Sequence, residues 1–362
     1  MRSEVLTTGP VNLAFEAKLT ELVDAKYAIS CSSGTAALHL AVQAIGLKAG
    51  DKVVVPTITF LATANAPRYT GADVLFADVE PDTGLMGAGQ LEEVIYKIED
   101  KVAAVIPVHL GGQSPNLAEI SRLARRHKIA IIEDASHAIG SVYAGSEKNN
   151  LVGSCGDSQI TTFSFHPAKN IAMGEGGAVT TNDERLAHRL RLLRNHGMVR
   201  EEHYPDPWFY QMRELGFNYR ASDIHCALGL SQLNKLPNFS EKRRRLVESY
   251  DLKLGTLAPV VRSVRRMPGN PVWHLYIVLI DFSQIEIDRA TVMNRLLAAG
   301  IGSQVHYIPV HQQPYYKELY GEMNMPGAEQ YYRRCLSLPL YTRMEEKDVQ
   351  YVVETLGNII GL

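Results

Sequence analysis

Four runs of aliphatic and β-branched residues constrain this chain more than any other feature: KVVVPTITF (52–60), ADVLFADV (72–79), KVAAVIPVHL (101–110) and KIAIIEDA (128–135). Each is nearly continuous in apolar side chains rather than alternating with polar ones, which is the pattern of a strand covered on both faces. Helical stretches lie between them, LEEVIYKI (91–98) after the second and NLAEISRLARRH (116–127) after the third. Strands alternating with helices predict an α/β fold with a mainly parallel central sheet. Ligands of such sheets bind beyond the carboxyl ends of the strands. Those ends carry Thr59 and Phe60, His109, and Asp134 with His137 just beyond it.

The rest of the chain reads as a second, smaller unit. A helical pattern over 222–254, interrupted at Pro237, leads to an apolar run at 273–280, a helix over 289–300, a strand over 303–308 and a final helix over 346–360. The expected division is a large domain of residues 1–235 and a smaller α+β domain of 236–362, and 362 residues suffice for both cores. A formal charge of −2 gives no electrostatic ground for nucleic acid or a membrane surface as partner. No run is apolar enough to span a bilayer, and the N-terminal stretch lacks the pattern of a signal peptide. Cys31, Cys155, Cys226 and Cys335 form no CxxC pair. They read as reduced thiols of a cytoplasmic protein rather than a disulfide framework or a zinc site.

Four features together carry the chemistry. SSGT (32–35) precedes a helical pattern, so Ser33, Gly34 and Thr35 offer hydroxyls and free backbone N–H groups to an anion. Glu133 and Asp134 sit at a strand end after an apolar run, where an acid is costly without a partner. Phe60 ends another strand and can lie against a ring. Lys169 stands between SFHP and the glycine-rich GEGGAVTTND, and a lysine kept from water becomes a nucleophile. Each has an ordinary alternative: a helix cap, an ion pair, a core ring, a surface lysine. Jointly they match pyridoxal 5'-phosphate, which needs a lysine for its aldehyde, an acid for its ring nitrogen, a stacking ring and a phosphate seat.

SSGTAALHLA, EDASHAIG, TTFSFHPAKN, GEGGAVTTND and GFNYRASDIHCALGLSQL, in this order over nearly the whole chain, resemble the DegT/DnrJ/EryC1/StrS family of nucleotide-sugar aminotransferases, a branch of fold type I. VHYIPVHQQPYY (305–316) and ELGFNYR (214–220) resemble, within it, enzymes of pseudaminic acid biosynthesis that aminate C4 of a UDP-linked 4-keto-6-deoxy-N-acetylhexosamine. The resemblance implies that Lys169 holds the cofactor, Asp134 faces its ring nitrogen and His137 lies beside its phenolic oxygen. It also implies that Phe60 stacks on the ring, that Gly34, Thr35 and Ser164 seat the phosphate, and that Asn218 reaches the phosphate of a neighbouring subunit in a homodimer. The expected substrates are glutamate and a nucleotide keto-sugar, with Thr8, His196, Arg220, His306 and Tyr307 as candidate contacts. Relatives that act as dehydratases carry His where this chain has Lys169. Other keto-sugars, of the 4-keto-arabinose or perosamine type, remain open. No metal is expected, since His306 and His311 have no acids beside them. The segment GLMGAGQ (84–90) lacks the strand–glycine–helix setting of a dinucleotide site.

Overall fold

The computed structural model describes residues 5–98, 100–144, 151–200 and 206–362; the first four residues of the N-terminal stretch therefore lie outside the described residues. The chain starts with α1 (Pro10–Val23), β1 (Tyr27–Cys31), α2 (Gly34–Ala44), β2 (Lys52–Pro56), α3 (Leu61–Tyr69) and β3 (Asp73–Ala77). It continues through α4 (Ala88–Lys97), β4 (Val102–Val105), α5 (Leu117–His127), β5 (Ala130–Asp134) and the two-residue β6 (Val142–Tyr143). Next come β7 (Ile160–Ser164), β8 (Gly177–Thr181), α6 (Glu184–Arg194), the short β9 (Met198–Val199) and β10 (Gln211–Met212), and α7 (Asp223–Leu233).

The main sheet has the order β1-β8-β7-β5-β4-β2-β3. Strands β3, β2, β4, β5 and β7 are parallel neighbours, while β8 runs against both β7 and β1. The four apolar runs thus form adjacent strands, each shorter than its run because the last residues of the run turn out beyond the sheet. Local chemistry sets the helices between them. In α5, the Asn116 side chain accepts the Glu119 N–H at the start, Arg125 and Arg126 occupy the last turn, and Leu117, Ile120, Leu123 and Ala124 face inward. Capping and charge at both ends therefore agree with the buried stripe. Helix α2 buries Ala36, Ala37, Leu38, Leu40 and Ala41, side chains that are small or free of branching at Cβ, as it packs on β7 and β8.

The second part comprises α8 (Leu236–Leu254), β11 (Val261–Ser263), β12 (Gly269–Asn270), β13 (Tyr276–Ile280), α9 (Arg289–Ala298), α10 (Pro314–Tyr320), α11 (Pro326–Arg334), β14 (Cys335–Leu338) and α12 (Glu346–Ile360). Here β13 lies between β11 and β14 in an antiparallel sheet, with α8, α9 and α12 packed around a separate apolar cluster that includes Tyr250, Tyr276, Leu296 and Val352. The helical pattern over 222–254 resolves into α7 and α8, with Pro237 in the first turn of α8, where its missing N–H costs nothing. The strand expected over 303–308 is absent. The segment makes only one bridge, Gln304 to Ser337 on the outer edge of β14, after which His306 and Tyr307 line the cavity at the main sheet.

Candidate active site

Asp134 is the last residue of β5 and is 5% exposed. Its Oδ2 accepts the Thr63 hydroxyl at 2.6 Å, and Oδ1 accepts the Ser136 hydroxyl at 2.6 Å and the Ser136 N–H at 3.1 Å. Thr63 is itself joined to Thr59 at 2.7 Å. Three donors fix both oxygens of a carboxylate that lines a cavity of about 650 Å³. Neither Thr63 nor Ser136 was singled out in the sequence, although a serine two residues after an aspartate is a known local partner for its side chain. Of the two acids at this strand end, alternation sends Glu133 to the opposite face, where it is wholly buried.

Lys169 lines the same cavity from the loop between β7 and β8, in a turn whose backbone N–H bonds the His166 carbonyl at 2.8 Å. Burial pulls its amine down to about 8, and the Asp134 carboxylate opposes that shift. Burial together with the Lys169 charge also depresses the imidazoles around it: His306 to about 4, and His137 and His274 well below the ordinary histidine value. These rings are neutral at pH 7. His137 Nδ1 accepts the Gly111 N–H at 3.2 Å, so its Nε2, 3.3 Å from the Tyr307 hydroxyl, carries the proton. His274, which sequence reading passed over, packs on His137 with ring centroids 4.5 Å apart.

The cavity wall opposite is the start of α2. Ser33 caps the helix by accepting the Ala36 N–H, and Gly34 and Thr35 line the cavity with first-turn N–H groups that have no intrahelical acceptor. Ser164 ends β7 against this turn, so close that a Cβ on Gly34 would lie 2.6 Å from the Ser164 Cβ. Phe60, 57% exposed, closes another side, 6.2 Å from the Tyr307 ring. His306 and Tyr307 come from the second part of the chain; His306 Nδ1 meets the Ser337 hydroxyl at 2.7 Å and its carbonyl accepts the Tyr331 hydroxyl at 2.9 Å. An anion seat, a neutralisable lysine, a fixed carboxylate and an exposed ring in one cavity fit pyridoxal phosphate on donor chemistry alone.

Four expected site residues do not line this cavity: Thr8, His196, Asn218 and Arg220. They lie in another neighbourhood of the same chain. Thr7 bridges to Ser222, Asn195 bridges to Asn218, His196 N–H bonds the Phe217 carbonyl, and Arg220 donates to Asn195 Oδ1 at 2.7 Å. Beside them α1 packs on α7, leaving Leu6, Leu13, Ile224 and Leu228 exposed.

Residues 1–357 match the DegT/DnrJ/EryC1/StrS aminotransferase family. The chain is 39% identical to a Campylobacter jejuni protein named UDP-4-amino-4,6-dideoxy-N-acetyl-beta-L-altrosamine transaminase, over 99% of this chain and 92% of that one. Helicobacter pylori PseC, an aminotransferase involved in the biosynthesis of pseudoaminic acid, superposes with a TM-score of 0.91 at 30% identity, covering 99% of this chain and 93% of that one. The PLP form of the putative sugar aminotransferase Spr1654 from Streptococcus pneumoniae superposes with a TM-score of 0.89 at 27% identity, covering 99% and 93%.

Proposed function

We propose, for a chain that belongs to the DegT/DnrJ/EryC1/StrS aminotransferase family and whose cofactor is pyridoxal phosphate, that it moves an amino group from glutamate to C4 of a UDP-linked 4-keto-6-deoxy-N-acetylhexosamine. The observation that carries this reading is the placement of Lys169 and Asp134 in one cavity with the N-terminus of α2. Pyridoxal phosphate, when bound, supplies an aldehyde that takes up the amino group and a ring that accepts electrons from the reacting carbon.

The protein's side chains divide the remaining work. Lys169 Nζ would hold the cofactor's aldehyde carbon at rest and, as a free amine, would be the group placed to take the proton from glutamate Cα in one half-reaction and to deliver a proton to C4 of the sugar in the other. Its depressed proton affinity leaves part of it as free amine near pH 7 to 8. Asp134, fixed by Thr63 and Ser136, keeps the ring nitrogen protonated. His137 would hold the phenolic oxygen, Phe60 would cover the ring, and Ser33, Gly34, Thr35 and Ser164 would seat the phosphate. His306 and Tyr307 contact the sugar nucleotide and exclude water from its side of the cavity.

Among the described residues, Lys169 is the one lysine or arginine lining the cavity, whose lining also includes Asp134 and Glu175. A dicarboxylate donor and a pyrophosphate need more positive partners than that. A homodimer supplies them: the exposed apolar surface of α1 and α7 pairs with a second copy, and Asn218, Arg220, His196 and Thr8 of each copy complete the other's cavity. The two domains, 1–235 and 236–362, then enclose the substrate between them. The enzyme works in the cytoplasm, in keeping with four unpaired, buried cysteines and no membrane-spanning helix among the described residues.

The test is incubation with ¹⁵N-glutamate and a panel of keto-sugar nucleotides, read by mass spectrometry. The reading expects ¹⁵N in the 4-amino product of the UDP-linked N-acetylhexosamine. Label transferred only to a 4-keto-arabinose or perosamine-type substrate would overturn this choice of sugar, and oxygen loss without label would point to a dehydratase.

A further inference from the structure

Glu133 projects from β5 on the side opposite Asp134 and is 0% exposed. Its Oε1 accepts the Ser158 hydroxyl at 2.5 Å and the Thr161 hydroxyl at 2.8 Å, and its Oε2 lies 2.8 Å from Nε2 of His109, a residue equally buried. A carboxylate has no proton to give, so His109 Nε2 is the donor, and the Ser114 hydroxyl, 2.8 Å from Nδ1, completes the other side of the ring. Nothing in the reaction derived above uses this network. A well-packed apolar pair would hold the strands at least as well, since buried charges and polar networks are weak sources of stability. What a satisfied polar network adds is a fixed geometry.

The geometry it fixes is that of Asp134. Strand β4 ends at Val105, yet both backbone groups of Asp134 bond to the irregular segment beyond that end. Asp134 N–H donates to the Pro107 carbonyl at 2.9 Å, and its carbonyl accepts the His109 N–H at 3.0 Å. Beyond the end of β4 the segment keeps a single parallel bridge, Val108 to Asp134, and the His109 side chain returns to Glu133, the residue before Asp134. Backbone and side chain close a ring around the strand end that presents the carboxylate to the cavity.

We propose that His109 and Glu133 form a positioning pair that sets the Asp134 carboxylate at its distance from the cofactor's ring nitrogen; this rests on the pyridoxal phosphate reading of the cavity. His109 is wholly buried at the edge of the cavity wall, and in this proposal the pair acts through Asp134.

The experiment compares wild type, His109→Phe, His109→Gln and Ser114→Ala, measuring the dissociation constant for pyridoxal phosphate, the visible absorption band as a function of pH, and the melting temperature of the cofactor-free protein. The expected result for His109→Phe is about a tenfold weaker affinity and a displaced pH dependence of the band, because the acid no longer sits where it holds the ring proton. His109→Gln, which restores a donor toward Glu133, recovers most of both. Ser114→Ala disturbs only the far side of the imidazole, shifts both readouts the same way by less, and decides the matter should His109→Phe fail to fold. Wild-type affinity and an unmoved pH dependence in Ser114→Ala and any folded His109→Phe overturn the proposal, as does a change confined to the melting temperature, which would make the pair a staple of the fold. A wild-type protein that binds no pyridoxal phosphate would remove the reading of the cavity and the role of the pair with it, a result distinct from either of those.

Discussion

At the scale of single residues, the site works by controlling where protons sit. Lys169 in the folded protein loses its proton near pH 8, whereas in the unfolded chain it keeps it to about 10.5. Between those values the unfolded state binds more protons than the folded one, so stability rises with pH through that window. The cofactor-free wild type is therefore expected to gain stability relative to Lys169→Met as pH goes from 8 to 10, measured by denaturant midpoints; parallel curves for the two proteins would contradict it. The same amine should react with an acylating reagent half-maximally near pH 8, ahead of exposed lysines. Thr63→Val removes the donor to Asp134 Oδ2 at nearly constant volume. A hydrogen bond to a charged group contributes about 1.5–3 kcal/mol, so a fall in kcat of roughly tenfold or more is expected with little change in the KM for glutamate; an unchanged kcat would show that Ser136 alone suffices.

At the scale of elements, the anion seat depends on how closely β7, β8 and the start of α2 approach one another. A Cβ on Gly177 would lie 2.2 Å from the Ser33 carbonyl oxygen, a backbone atom with nowhere to go. Gly177→Ala should therefore destabilise the fold by about 1–3 kcal/mol in chemical denaturation, and Gly34→Ala, whose Cβ would press on the Ser164 side chain, should weaken cofactor binding more than it lowers stability. Equal losses in both measures would contradict the assignment of Gly34 to the seat. These are also the elements where the sequence was least legible. The continuous apolar runs made β2 to β5 readable, but β1, β7 and β8 carry Ser, Thr and Gly, residues chosen for close approach and hydrogen bonding rather than for strand pattern. The run at 303–308 looked like a strand because Val, Tyr and Ile favour sheets. It instead makes one bridge to the edge strand β14 and then carries His306 and Tyr307 into the cavity wall, a tertiary path that no local propensity encodes. Lys169, Asp134 and the SSGT turn were legible because their chemistry is costly without a ligand; His109 was marked only by its place at a strand end, and Thr63 and His274 not at all, because a buried hydroxyl or imidazole has many ordinary uses.

At the scale of the whole molecule, one chain divides its candidate residues between two places: a cavity with Lys169 and Asp134, and a surface with Thr8, His196, Asn218 and Arg220 beside exposed Leu13, Ile224 and Leu228. The homodimer proposed above would bring the two places together. Leu228→Arg, a charge in the middle of that apolar surface, should give a folded monomer by sedimentation with activity reduced at least about a hundredfold, since burying an unpaired charge costs several kcal/mol; an active monomer would refute the shared site. The central claim, that Lys169 makes this cavity an aminotransferase site, is tested most directly by the visible absorbance of the purified protein before and after glutamate is added, with Lys169→Ala alongside. The account predicts a yellow band in the wild type that glutamate bleaches, and no such band formed in the normal way by the variant. A wild-type band that glutamate leaves unchanged, or an identical response from Lys169→Ala, would contradict it.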